Sequence, residues 1–206
     1  MSRPENARRL TPRGAATRAR IVAAAAELMY VKGVNATTLD DVRAASNTSK
    51  SQLYNHFQDK AELVRAVVAA RTAQVLDRER GHLQRLKSLR GLVRWRDALV
   101  RHNALRSGAY GCALGSMASE LADQDDQARA TLAASFAEWE GLLAAGLRRM
   151  RDGGVLRPDA DPERLATGLM AALQGGYLLA ETAQDVRPME IALDMALDHV
   201  RSFRTA

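Results

Sequence analysis

With 206 residues, 47% hydrophobic, 26% charged and only 4% aromatic, the chain can bury one or two cores, and its 38 alanines favour packed helices over a sheet sandwich. The lone Cys112 excludes a disulfide framework, no apolar run reaches the roughly 18 residues of a membrane span, and the arginine-rich start lacks the apolar stretch of a secretory signal, so a cytoplasmic protein with no membrane partner is expected. Ten Lys/Arg against five Asp/Glu fall in residues 1–60, so +5 of the formal net charge of +6 sits in the first third, a bias that suits a polyanion such as DNA and equally a solvated tail.

Residues 1–14 carry two Pro, one Gly and four Arg without periodicity and read as a flexible basic arm. Thr17 then caps a first helix to about Val31, with Ile21, Ala25 and Leu28 on one face and Gly33 beyond its end. Thr37 or Thr38 caps a second, short helix to about Ala45, and its acidic pair Asp40 and Asp41 sits where the helix dipole favours negative charge. Ser46, Asn47 and Thr48 break the chain. Ser49 opens a third short helix, His56 to Asp59 interrupts it, and Asp59 caps a fourth from Lys60 to about Arg80. Longer stretches follow at roughly 88–105, 115–122, 125–152, 161–184 and 188–203, with Pro188 in the first turn of the last. The clearest amphipath is 125–152, where Leu132, Phe136, Trp139, Leu143, Leu147 and Met150 recur at spacings of three or four. The expectation is an all-α fold of about nine helices.

The informative segment is 37–60, TTLDDVRAASNTSKSQLYNHFQDK. It reads as helix, short turn, helix, with Leu39, Val42, Leu53 and Phe57 available for a shared core. Two such helices held at an angle suit a helix-turn-helix reader, whose second helix enters the major groove of DNA. Ser49, Lys50, Ser51, Gln52 and Asn55 give that second helix a polar outer face. A helical hairpin with a polar face is also common in any all-α protein.

The stretch ATRARIVAAAAELMYVKGVNATTLDDVRAASNTSKSQLYNHFQDKAELV resembles the DNA-binding domain of TetR-family transcriptional regulators. Gly33, Thr37, Thr38, Ser49, Lys50, Leu53, Tyr54, His56, Phe57 and Lys60 stand in register with the family pattern. Arg43 departs from it where an apolar residue is frequent, and Asn47 where the turn glycine is frequent. Asn tolerates the left-handed backbone such a turn demands. The resemblance implies that Thr38, Tyr54, His56 and Lys60 contact phosphates, and that Ser49, Lys50, Ser51, Gln52 and Asn55 face the groove. Gln52 and Lys50 are foremost for base edges, since Gln pairs with adenine through both ends of its amide and Lys donates to guanine. The Tyr54 ring is expected to pack the small core while its hydroxyl reaches DNA, and Phe57 to be core alone. Arg8, Arg9 and Arg13 are candidates for further phosphate or minor-groove contacts.

The resemblance also divides the chain into a basic arm (1–14), a helix-turn-helix domain (15–60) and an effector-binding and dimerisation domain (61–206). GCALGSMASEL at 111–121 and the run from Asp161 to Ala180 resemble a subgroup that includes drug- and electrophile-responsive repressors. A homodimer through 161–184 and 188–204 is expected. Gly168, Gly175 and Gly176 within a helix each cost roughly 1 kcal/mol against Ala, which a close approach across a two-fold axis, or a tight contact within the chain, would offset. Trp95, Leu99, Tyr110, Cys112, Met117, Phe136, Trp139, Leu143 and Tyr177 are candidates for an effector pocket for a small hydrophobic or aromatic compound, though an aromatic stripe at helical spacing also suits plain core. Glu120, Glu138 and Asp97 could select a cation, and Arg94, Arg96, Arg101 and His102 an anion. Cys112 reads either as a small buried hydrophobe or as a reactive thiol. His82, His102 and His199 are too scattered for a metal, and no catalytic or cofactor motif is present. The functional expectation is a ligand-responsive regulator, not an enzyme, released as a repressor from a palindromic operator. A small-molecule-binding or catalytic helical protein and a ligand-free architectural DNA binder are the rival readings.

Overall fold

The computed structural model describes residues 11–105 and 111–205; Arg8, Arg9 and Tyr110 lie outside the described residues. Its helices are α1 (Pro12–Lys32), α2 (Leu39–Ala45), α3 (Lys50–His56), α4 (Lys60–Leu83), α5 (Leu89–Ala104), α6 (Ala113–Leu121), α7 (Asp126–Asp152), α8 (Pro162–Ala183) and α9 (Arg187–Arg201). Among the described residues there is no strand, only a single antiparallel bridge between Leu156 and Arg204, and no helix is long and apolar enough to cross a membrane. The chain divides after Val67, inside α4, into two compact units.

Most boundaries follow local capping chemistry. Asp125 accepts from Ala128 N–H at 2.9 Å and Asp161 from Arg164 N–H at 3.1 Å, so each satisfies donors that the first turn leaves unpaired. The start of α1 corrects the expected arm. Thr11 is the cap, its hydroxyl accepting from Gly14 N–H at 3.2 Å, and Pro12 fills the first turn, where its missing N–H costs nothing. Thr17 lies inside the helix and donates to Arg13 C=O at 3.0 Å. The start of α6 also moves. Helix begins at Ala113, two residues ahead of the expected 115, with Cys112 as its cap residue and no side-chain hydrogen bond there.

In the first unit, α1 lays Ile21, Val22, Ala25, Ala26 and Met29 into a small core completed by Val42 of α2, Leu53 of α3, Phe57, and Leu63 and Val64 of α4. Leu39, expected there, is only half-buried. Polar ties fix the angles between these helices. Arg20 donates to Ser46 C=O at 2.9 Å, which ties the end of α2 to α1. Buried Thr37 donates to Gly33 C=O at 2.8 Å. The Arg18 guanidinium lies 4.9 Å from the centre of the Phe57 ring.

In the second unit, α8 packs along both α7 and α9. Its core holds Leu92, Trp95, Leu99, Leu132, Trp139, Leu143, Leu147, Met150, Leu165, Leu169, Leu173, Met189, Leu193 and Leu197. Fully buried Glu79 accepts from Trp95 Nε1 at 2.8 Å and from Arg78 Nε at 2.9 Å, so the carboxylate is paired at both oxygens. Arg149 donates to Leu83 and Leu86 C=O, both at 2.9 Å, and closes the C-terminal end of α4. Gly146 makes room for Leu86, since a Cβ there would lie 2.6 Å from the Leu86 side chain.

Candidate functional site

The turn between α2 and α3 is built from backbone geometry. Asn47 has φ 49°, the left-handed region in which Asn is tolerated in place of glycine. Its N–H donates to Ala44 C=O at 3.2 Å, Thr48 N–H donates to Arg43 C=O at 3.2 Å, and the buried Ser46 and Thr48 hydroxyls pair at 2.8 Å. Both short helices are closed by reciprocal caps. Thr38 and Ser49 accept from the backbone N–H of Asp41 and Gln52, while the Asp41 and Gln52 side chains accept from the Thr38 and Ser49 N–H. A seven-residue helix is marginal by itself, so these caps, each contributing about 1 kcal/mol, and burial of Val42 and Leu53 hold α2 and α3 in place.

This arrangement leaves Ser49, Lys50, Ser51, Gln52, Tyr54 and Asn55 exposed on one short helix whose inner anchor, Leu53, is buried. Lys50 makes no ion pair or hydrogen bond among the described residues. The Gln52 side-chain oxygen accepts from Ser49 N–H at 2.8 Å, which leaves the amide NH2 outward. Thr38 differs from the expectation: its hydroxyl and its N–H both go to Asp41 Oδ2, at 2.9 and 3.0 Å, so no donor is spare while the cap is closed. Tyr54 is half covered. The residue is 47% exposed, unlike the fully buried Phe57. His56 is half-buried, and its Nδ1 is buried without a hydrogen-bond partner. Lys60 Nζ donates to Asn35 C=O at 3.1 Å and keeps two further N–H donors. Arg43, which departs from the family pattern, is exposed and pairs with Asp40 at 3.2 Å.

In the second unit a cavity of about 400 Å³ opens between two helical faces, with Phe136 of α7 also lining it. One face carries Cys112, Gly115, Ser116 and Ser119, and the other Gln174, Gly175, Tyr177, Leu178 and Glu181. Of the residues expected to line a pocket, Cys112, Phe136 and Tyr177 do so here. Trp95, Leu99, Met117, Trp139 and Leu143 are instead buried in the core. Gln174, Glu181 and the serines were missed, although a signal was present. Positions 174, 177, 178 and 181 recur at helical spacing on α8, and 112, 115, 116 and 119 do so around α6.

Glu181 is the one charged side chain among these lining residues. The other proposed selectors lie elsewhere: Glu138 pairs with Arg80, and Arg96 bridges Asp97 at 3.2 Å and Asp194 at 2.8 Å. Burial pushes the Cys112 thiol above its ordinary pKa, against the opposing pull of Gly115 and Leu114 backbone N–H groups, Gln174 and the Arg78 charge. The neutral thiol is therefore the stable form, which favours the buried-hydrophobe reading over the reactive one.

On the outer side of α8 and α9, Leu178, Leu179, Ile191 and Met195 are exposed by 52–70%. The three glycines of α8 separate. A Cβ on Gly176 would stand 3.0 Å from the Met189 Cα, so this glycine serves the α8–α9 contact within the chain. Gly168 and Gly175 face open space.

The family model described as "Bacterial regulatory proteins, tetR family" matches residues 21–67. The model described as "Tetracyclin repressor-like, C-terminal domain" matches residues 83–196. An uncharacterised HTH-type transcriptional regulator in the lacX 3' region of Lactococcus lactis subsp. lactis is 27% identical over 187 residues, covering 87% of this chain and 90% of that protein. The HTH-type transcriptional repressor DhaR of Mycobacterium sp. (strain GP1) is 24% identical over 191 residues, covering 88% and 90%. A TetR transcriptional regulator from Chloroflexus aurantiacus superimposes with a TM-score of 0.83 at 26% identity, covering 95% of this chain and all of that one.

Proposed function

The chain belongs to the TetR family of helix-turn-helix transcriptional regulators, and from that premise we propose that it is a homodimeric, ligand-released repressor of a palindromic operator. The observation that carries the DNA-binding half is the face of α3: six exposed polar or aromatic side chains on a helix pinned from behind by Leu53. Lys50 and the free NH2 of Gln52 read base edges, while Ser49, Ser51 and Asn55 fill the groove around them. Tyr54, His56 and Lys60 hold phosphates. Thr38 acts by position, since its donors are spent on the α2 cap.

The exposed apolar stripe of α8 and α9 forms the two-fold interface, and Gly168 allows the close approach. The cavity between α6 and α8 takes the effector. Helix α4 carries the chain from the second unit into the first, so it is the covalent route by which ligand binding reaches α3. The effector must bind the state that does not fit the operator more tightly, or it shifts nothing.

The test is binding of the purified protein to DNA upstream of its own gene, and then to genomic fragments, against shuffled competitor at physiological salt. Discrimination of about 10³ or more supports a specific regulator, and Gln52→Ala should lower it by roughly 10- to 100-fold. Binding to all DNA alike, abolished by salt, would instead leave an architectural binder.

A further inference from the structure

We propose that the α6–α8 cavity selects a small organic cation that also carries a hydrogen-bond acceptor. This rests on the reading that the cavity takes an effector. Three observations converge on it. Glu181 brings the only charge among the described lining residues, and its side chain makes no hydrogen bond or ion pair among the described residues. A half-buried carboxylate in that position is a standing acceptor for an ammonium or amidinium group. Gln174 supplies the opposite need: its side-chain Nε2 is buried and, apart from its weak pull on the Cys112 sulfur, has no acceptor among the described residues, so a ligand oxygen or nitrogen placed there gives it a full partner. Phe136 and Tyr177 provide the aromatic lining for the ligand body, and their ring faces are themselves attractive to a cation.

Two glycines hold the polar pair in place. Gly111, at φ +52°, lets the Glu181 carboxylate settle against the backbone, where a Cβ would collide with Oε2. At Gly115 a Cβ would come within 2.9 Å of Gln174 Oε1. Arg78, whose charge acts on Cys112, is not among the described lining residues and donates to Glu79 at 2.9 Å. The volume of about 400 Å³ suits a single-ring compound better than a large polycyclic drug.

Four related compounds separate the two requirements: tyramine (cation with acceptor), phenethylamine (cation alone), 4-ethylphenol (acceptor alone) and 4-hydroxyphenylacetate (anion with acceptor). Calorimetric titration of the full-length protein should rank tyramine first, with 4-ethylphenol weaker by about ten- to a hundred-fold and the anion weaker still. Phenethylamine should be weaker by about three- to tenfold. Glu181→Gln should erase the preference for tyramine over 4-ethylphenol. Equal or tighter binding of the neutral or anionic compound overturns the proposal, as does no binding by any of the four at millimolar concentration. Both of these outcomes are read on wild-type protein and do not depend on the variant folding. If tyramine binds first yet leaves operator DNA bound, the cation site stands and the ligand-released reading of the function falls.

Discussion

Gln52 serves two tasks that draw on one amide. Its oxygen closes the α3 cap by accepting from Ser49 N–H, and its NH2 is what remains for DNA. Pairing with adenine through both ends therefore uses the second lone pair of an oxygen already engaged. Asp41 has the simpler role. Its carboxyl is held below the ordinary carboxylate value, first by the Thr38 backbone N–H, then by the Thr38 hydroxyl, with the Lys32 charge adding to both. Folding thus favours the ionised form. That stabilisation is fully present above the ordinary value of about 3.9 and is lost as pH falls through the lowered folded value. Asp41→Asn should lower the melting temperature by a few degrees at pH 7, and the gap from wild type should begin to narrow only in melts taken below about pH 4. Cys112 offers the other residue-scale test. Iodoacetamide should alkylate it at least about tenfold more slowly than free cysteine at neutral pH, because burial keeps the thiol protonated. Mass spectrometry of folded protein measures that rate, and alkylation as fast as free cysteine would restore the reactive-thiol reading.

The helices show which glycines have structural work within one chain. Gly176→Ala forces a methyl against the Met189 backbone and should destabilise the fold by about 1–3 kcal/mol. At Gly168 a methyl meets nothing among the described residues of the subunit. There Ala should raise the stability of an isolated subunit by roughly 0.5–1 kcal/mol through helix propensity. The same substitution should weaken a dimer whose helices cross closely at that point. Denaturation and sedimentation of the two variants separate these effects: opposite signs at 168 and 176 are expected in the fold, and loss of dimer without loss of fold at 168. The elements were largely legible in the sequence because caps and periodicity are local. Asp125, Asp161, Ser88 and Ser49 stand at the starts of helices they cap. The start of α1 was not, because Pro12 and Gly14 look like loop residues in isolation, whereas Thr11 and the helix behind them make them a first turn.

For the molecule as a whole, the proposed function needs two copies of a chain whose basic excess is concentrated in residues 1–60. A double substitution, Leu179→Glu with Met195→Glu, places charge on residues that are 57% and 70% exposed in the single chain and lie outside the cavity lining. It should leave the helical content unchanged and turn a dimer into a monomer in sedimentation. Operator affinity should then fall by several orders of magnitude, because each half-site is held by one short helix alone. A monomeric wild type, or a variant that remains dimeric, would place the interface elsewhere.

By itself the sequence determined what depends on neighbours along the chain: the helices, their caps, the left-handed turn at Asn47 and the polar face of α3. Tertiary structure decided what depends on distant residues meeting. Whether an aromatic is core or cavity wall is one such matter, and it put Trp95 and Trp139 inside while leaving Phe136 and Tyr177 on the cavity. The pairing of Gln174 with Glu181 around one opening is another. Their spacing shows that they share a face of α8, but only the packing of α6 and α7 against that face makes it the wall of a cavity. The glycines mark the same division, since identical residues in one helix face Met189 at 176 and open space at 168.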